Sequence, residues 1–182
     1  MNYENLMTVM RRLALEAGDV IMDIYETNDF SVNVKSDNSP VTAADEAADQ
    51  LISAGLRAAF PNVALVTEEQ SVSHGARADV FLIVDPLDGT KEFIHRRGDF
   101  TVNIAYIEHG VPTRGIVYAP AKGRLFYTLA NGRSVEEIGV FDKNQAAPTQ
   151  TIRVSQADNT ALMVVASKSH RDPETDAYIE KY

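Results

Sequence analysis

An apolar segment that runs straight into a pair of acidic residues constrains this chain more than any other feature. Residues 80–84 are all apolar and are followed at once by the sequence Asp-Pro-Leu-Asp-Gly at 85–89. The apolar segment predicts a strand buried on both faces. Pro86 cannot continue a central strand and Asp-Gly is typical of turns, so we expect the strand to end at Val84. Asp85 and Asp88 would then lie together at its carboxyl end, where layered α/β structures bind ligands.

This acidic turn has two interpretations. Asp, Pro and Gly are common in any tight turn, so a purely structural turn is one of them. The other is a metal site, because Asp85 and Asp88 cannot both ionise close together in a half-buried pocket without a compensating cation. The carbonyl of Leu87 adds a hard oxygen ligand, and the N–H groups of Gly89 and Thr90 are suited to an anion. Oxygen donors beside an anion cradle suit magnesium and phosphate.

A second apolar segment, at 63–66, also runs into acid, at Glu68 and Glu69. If the two strands are adjacent and parallel, Glu68 or Glu69 lies beside Asp85 and Asp88. Another acid, Asp45, falls in the first turn of a predicted helix, where capping is an alternative interpretation of its role.

Periodicity predicts the remaining elements. Apolar residues at three- and four-residue spacing predict helices over 6–24 and from the N-cap Thr42 to a point before Pro61, and Asp172-Pro173 begins a third helix. Strands are predicted at 31–35, 63–66, 80–84, 100–108, 111–118, 124–129, 134–140, 152–154 and 161–166. The middle of the chain is therefore predicted to be a meander, with polar loops at 36–40, 71–79 and 141–150.

Composition limits the classes of partner. A chain of 182 residues with 45% apolar content is one domain or a tight pair of lobes with a substantial core. Its net charge of −9 argues against long nucleic acid as a partner, whereas a small anionic substrate fits if bound cations reverse the local field. The chain has no cysteine, which is consistent with the cytoplasm, and the first 23 residues predict neither a signal peptide nor a membrane span.

Three segments together resemble a known family. Residues 41–45, 67–69 and 85–90 are similar, in order and spacing, to the inositol monophosphatase-like family of magnesium-dependent, lithium-sensitive phosphatases. Segments 91–94, 98–104 and 166–171 resemble its 3'(2'),5'-bisphosphate nucleotidase branch. The resemblance implies an α+β fold with αβαβα layers, in which residues 1–182 form the N-terminal metal- and phosphate-binding lobe. Relatives continue into a second lobe with a Trp-Asp motif, and this sequence has no tryptophan, so we expect a C-terminally truncated chain.

The resemblance also implies a Mg²⁺ site. Glu68, Asp85 and the Leu87 carbonyl would hold one magnesium ion, and Asp85 with Asp88 would hold a second together with an aspartate of the absent lobe. Carboxylates suit such ions because magnesium prefers hard oxygen ligands.

Catalytic and substrate-binding roles follow from the same resemblance. Asp45 would orient Thr90, and Thr90 with Glu68 would position and activate the attacking water. The N–H groups of Gly89 and Thr90 would bind the scissile phosphate. Ser167 and His170 would contact the nucleotide or its second phosphate, although the segment 167–171 is equally typical of a plain polar loop.

The resemblance implies hydrolysis of adenosine 3',5'-bisphosphate to AMP and phosphate. Three alternatives stay open: an inositol or sugar monophosphatase, a metal- and phosphate-binding fragment without turnover, and a structural acidic domain. We also expect the surface exposed by the absent lobe to favour homodimer formation or aggregation.

Overall fold

The computed structural model describes residues 1–27, 32–34, 40–70, 78–156, 158, 160, 163–167 and 172–181. The chain divides into two compact units, Met1–Ile152 and Arg153–Tyr182, and each is described on its own. Within the described residues, no helix is both long enough and apolar enough to cross a membrane.

Among the described residues, the first unit contains three α-helices and nine strands, and the second contains one helix. The helices are α1 (Tyr3–Glu26), α2 (Ala43–Ala59), α3 (Thr90–Ile94) and α4 (Pro173–Ile179). The strands are β1 (Val32–Val34), β2 (Pro40–Thr42), β3 (Ala64–Thr67), β4 (Val80–Asp88), β5 (Thr101–Glu108), β6 (Val111–Ala119), β7 (Arg124–Thr128), β8 (Ser134–Glu137) and β9 (Thr149–Thr151). A short 3-10 turn follows β6 at Pro120–Lys122.

Seven of the strands form one mixed sheet in the order β3-β4-β5-β6-β7-β8-β9. Strands β3 and β4 are parallel, and every other neighbouring pair is antiparallel, which confirms the predicted meander. Strands β3 and β4 are thus adjacent and parallel, which is the condition under which Glu68 or Glu69 was expected to lie beside Asp85 and Asp88. Strands β1 and β2 form a separate antiparallel pair.

Helices α1 and α2 pack together and cover one face of this sheet. Both helices were predicted and are confirmed, because each has an apolar stripe and a side-chain N-cap, at Asn2 and Thr42. The side chains between the helices and the sheet are almost fully buried. The largest of them are Leu6, Met10, Leu13, Ile21, Ile52, Leu56, Leu82, Leu87, Phe93, Phe100, Ile104 and Ile116.

A buried ion pair joins the N-terminal helix to β8, the strand next to the edge strand β9. The guanidinium of Arg11 in α1 donates to both carboxylate oxygens of Glu137 in β8, at 2.6 and 2.7 Å. The same guanidinium donates to the carbonyl of Asp142, at 2.8 Å. Helix α1 is therefore fixed to β8 and to the loop that follows it.

Strand β4 differs from its prediction in two respects. It continues through Pro86 to Asp88 rather than ending at Val84, because its pairing with β3 ends at Val84 while its pairing with β5 resumes at Asp88 after an irregularity. Proline is tolerated in such a bulge. The strand is also not buried on both faces: Leu82 and Val84 face the helices, whereas Ile83 is 40% exposed on the other face.

Several other boundaries were predicted wrongly. Strand β8 ends at Glu137 rather than 140, and β9 lies at Thr149–Thr151 instead of 152–154, because β9 pairs with β8 in that register. Pro40 belongs to a strand rather than to a loop. The strand predicted at 161–166 is wrong for 163–166, which have no regular structure and pair with no strand among the described residues. Positions 31, 35–39, 71–77, 161 and 162 lie outside the described residues.

Candidate metal and phosphate site

The candidate site lies where the parallel pairing of β3 with β4 ends. In the parallel register Thr67 is paired with Val84, so the next residues along the two strands, Glu68 and Asp85, are neighbours. The N–H of Glu68 donates to the carbonyl oxygen of Val84 at 3.0 Å. The fold therefore brings together two acids that the sequence separates by 16 intervening residues.

The carboxyl group of Asp85 has a strongly raised pKa. Burial raises its pKa from 3.8 to about 7, and the neighbouring charges of Glu68 and then Asp88 act in the same direction. Its Oδ1 is buried, and no donor within the described part of the chain reaches that oxygen. A buried carboxylate oxygen without a donor, beside two further acids, is stabilised by a cation.

Asp88 is exposed and is held by the neighbouring strand. The side-chain amide of Asn103 in β5 donates to Asp88 Oδ2 at 3.2 Å. Within the described residues, no three His, Cys, Asp or Glu side chains are arranged as a closed metal-binding group. Glu68, Asp85, Asp88 and the carbonyl of Leu87 nevertheless form a set of hard oxygen donors that fits magnesium.

Thr90 links the acidic turn to helix α2. Its hydroxyl donates to Asp45 Oδ1 at 3.0 Å and also lies 3.2 Å from the carbonyl oxygen of Leu87. The other oxygen of Asp45 accepts from the hydroxyl and the N–H of Thr42, at 2.5 and 2.8 Å. Asp45 is 1% exposed, and burial raises its pKa against these hydrogen bonds. The same carboxylate thus takes part in the capping box of α2 and fixes Thr90.

Gly89 occupies a position that only glycine fits. Its φ is +96°, in the left-handed region, and a Cβ there would lie 2.7 Å from the carbonyl oxygen of Asp99. Gly89 is the N-cap of α3, and its carbonyl accepts from the N–H of Phe93 at 2.9 Å. Helix α3 therefore begins directly after the acidic turn.

Neither of the two predicted residues of segment 167–171 belongs to the described residues of the first unit. Ser167 is exposed and belongs to the second unit, while His170 lies outside the described residues. The roles assigned to Ser167 and His170 stay predictions.

Sequence reasoning missed two polar residues that contact the site or its supporting turn. Asn103 is held against Asp88 by the pairing of β4 with β5, and Gln70 bonds to α2 from the turn that follows β3. The side chains of Asn103 and Asp85 lie on the same face of the sheet, because the two residues are directly paired. That pairing depends on strand register, for which the local pattern of either strand gives no signal.

An apolar cavity extends from the site along the face of the sheet opposite α1 and α2. Its volume is about 670 Å³, and Glu68, Asp85 and Asn103 lie at its acidic end. Ile83 and Val117 line its apolar part and are 40% and 42% exposed. The site therefore lies beside a broad apolar surface.

Comparison with known proteins identifies the family to which this chain belongs. The sequence model of the inositol monophosphatase family matches residues 2–182, and the chain belongs to that family. This confirms the expected family and, with the solved relatives below, the expected layered α+β fold.

Within this family, the chain is similar to two proteins named CysQ. The 3'(2'),5'-bisphosphate nucleotidase CysQ of Escherichia coli strain K12 is 44% identical over 174 residues, which cover 93% of this chain and 66% of that protein. The crystal structure of CysQ from Bacteroides thetaiotaomicron, described as a bacterial member of the inositol monophosphatase family, is 34% identical with a TM-score of 0.78. That match covers 98% of this chain and 68% of the solved chain. The chain thus spans about two thirds of the length of these relatives.

Proposed function

We propose that this chain is the metal- and phosphate-binding part of a magnesium-dependent phosphatase that hydrolyses adenosine 3',5'-bisphosphate to AMP and phosphate. The reaction class rests on one observation: Glu68 and Asp85 are neighbours where the parallel pairing of β3 with β4 ends, with a buried Asp85 oxygen that has no donor among the described residues. The substrate is proposed from the relatives that are named 3'(2'),5'-bisphosphate nucleotidases.

Four groups would hold magnesium. Glu68, Asp85 and the carbonyl of Leu87 would bind one ion, and Asp85 with Asp88 would contribute to a second. When bound, such ions make water acidic and neutralise charge on the leaving oxygen of a phosphate ester. This help is needed because phosphate monoester hydrolysis requires barrier lowering on the order of 20 kcal/mol.

The remaining groups would act directly on water and phosphate. Asp45 holds the Thr90 hydroxyl at 3.0 Å, and in our proposal Thr90 and Glu68 position the attacking water while the carboxylate of Glu68 receives its proton. The N–H groups of Gly89 and Thr90 would bind the scissile phosphate, since the absence of a side chain at Gly89 leaves the backbone accessible. Ser167 and His170 would contact the nucleotide.

The test is phosphate release by the full chain, with adenosine 3',5'-bisphosphate and inositol 1-phosphate compared at equal magnesium concentrations. We expect magnesium-dependent, lithium-inhibited turnover of the nucleotide that is lost in Asp85→Asn and retained in Asp79→Asn. Asp79 is an exposed aspartate next to the opposite end of β4, so it controls for the change of charge. Preference for the inositol ester would overturn the substrate. Magnesium binding without any turnover would overturn the activity of this chain and favour the binding-fragment alternative.

We also propose that two copies of the chain associate through the apolar face that carries Ile83 and Val117. Contiguous exposed apolar surface favours association. Light scattering over a concentration series should show a dimer that Val117→Asp converts to monomer. Monomer at every wild-type concentration would refute this proposal.

A further inference from the structure

A second polar network fixes the turn from which Glu68 projects. The side-chain amide of Gln70 donates to Asp49 Oδ2 at 2.6 Å and lies 3.3 Å from Ser53 Oγ. Arg57 donates to the Gln70 side-chain oxygen at 2.8 Å. Asp49, Ser53 and Arg57 all belong to α2, and Asp49 and Ser53 are only 4% and 1% exposed. We call these four residues the Gln70 clamp.

The Gln70 clamp acts on a turn of four residues, 67–70. At its start, the N–H of Glu68 is bonded to Val84 of β4 at 3.0 Å. At its end, the N–H of Gln70 donates to Thr67 Oγ1 at 3.2 Å, while the Gln70 side chain is bonded to α2. Glu68 is therefore held between an attachment to β4 and an attachment to α2.

Helix α2 forms hydrogen bonds, through an aspartate in each case, to the turn after β3 and to the turn after β4. Asp45 and Asp49 are four residues apart, so they lie one above the other on one face of the helix. Asp45 accepts from Thr90, which follows β4, and Asp49 accepts from Gln70, which follows β3. A single rigid helix thereby sets the position of the turn after β3 relative to the turn after β4.

We propose that Asp49 and Gln70 are positioning residues that orient Glu68 for magnesium binding and water activation. This inference rests on the proposed function. In this proposal neither residue binds the metal; both act by holding the backbone of the turn that carries Glu68. Outer groups that orient metal ligands typically change metal affinity by about 10- to 100-fold, so a loss of that order is expected when the clamp is broken.

A donor-acceptor exchange tests the clamp. Gln70→Glu places a second carboxyl group against Asp49 and removes the donor. Adding Asp49→Asn restores one hydrogen bond with the donor on α2 instead of on the turn. Arg57 can pair with the new carboxylate in both variants, so its contribution cancels between them. Gln50→Glu is the matched control, because Gln50 is an exposed residue of the same helix.

Two measurements are made on the full chain. Without metal, hydrogen exchange of the Glu68 amide reports whether the turn is held. With metal, calorimetric titration gives the magnesium dissociation constant, and steady-state kinetics separate kcat from KM. We expect Gln70→Glu to speed exchange about 10-fold and weaken magnesium binding about 10-fold. The double variant should lie within about threefold of wild type in both, and Gln50→Glu should match wild type.

The outcomes separate the two proposals. Wild-type magnesium binding with unchanged affinity in Gln70→Glu would overturn the positioning role alone, as would a double variant that fails to recover. Wild type that binds no magnesium would overturn the proposed function, and the positioning role with it. If Gln70→Glu does not fold, Gln70→Ala replaces it, with the same expected direction and the same overturning result.

Discussion

Replacing Asp85 with asparagine should stabilise the metal-free chain at alkaline pH even though it destroys the proposed magnesium site. Burial, together with Glu68 and Asp88, raises the pKa of Asp85 from 3.8 to about 7 in the folded chain. Between those two values the folded chain holds a proton that the unfolded chain has released. The stability contributed by that proton is complete below pH 3.8 and is lost as the pH rises through about 7.

The size of the effect follows from the two pKa values. The difference between 3.8 and about 7 corresponds to about 4 kcal/mol in the free energy of unfolding. Asp85 is only partly buried, so solvent screening reduces the expected effect to about 2 kcal/mol. Asp85→Asn removes the titrating carboxyl, and the variant should therefore gain about 2 kcal/mol over wild type at pH 8 and about none at pH 4.

Urea unfolding in the presence of a chelator, at several values of pH between 4 and 8, measures this difference. Asp79→Asn is the control, because it makes the same chemical change at an exposed position and should show no pH-dependent gain. Free magnesium at about ten times its dissociation constant should then stabilise wild type at pH 8 by about 1.4 kcal/mol and leave Asp85→Asn unchanged. Parallel pH profiles for wild type and Asp85→Asn would refute the electrostatic account of the site.

Three further changes test other parts of the structure. Arg11→Met should cost about 3 to 5 kcal/mol in urea unfolding, because it leaves the buried carboxylate of Glu137 unpaired; a loss below 1 kcal/mol would contradict this. Gly89→Ala should cost about 2 kcal/mol more than Gly132→Ala, since both glycines have positive φ but only the first would place a Cβ against a backbone oxygen; equal losses would argue against the close approach. Thr90→Val should lower turnover about 100-fold while it changes stability by about 1 kcal/mol, and unchanged kcat would exclude the hydroxyl from catalysis.

The parts of the fold that local patterns determine were predictable. Helices α1 and α2 follow from an apolar stripe and a capping side chain, and both signals lie within a few neighbouring residues. The extent of β4 was not predictable, because passage through Pro86 depends on the irregular pairing of β4 with β5. The exposed side of β4 was missed for a related reason. An apolar segment shows that burial is favourable, but not which face of the sheet the rest of the chain covers.

The candidate site likewise has one part that local sequence patterns predict and another part that depends on tertiary contacts. Its acids directly follow two apolar segments, so their types and order are visible in the sequence, and parallel pairing of β3 with β4 then brings Glu68 beside Asp85. The groups that hold those acids are remote in sequence: Asn103 lies 15 residues from Asp88, and Gln70 lies 21 residues from Asp49. Each of these amide side chains acts through a hydrogen bond to an element remote in sequence. Such a contact leaves no periodic pattern or motif in the sequence around the amide residue. Chemistry that depends on residue type is therefore readable from the sequence, whereas the precision with which that chemistry is positioned requires the register and packing of the folded chain.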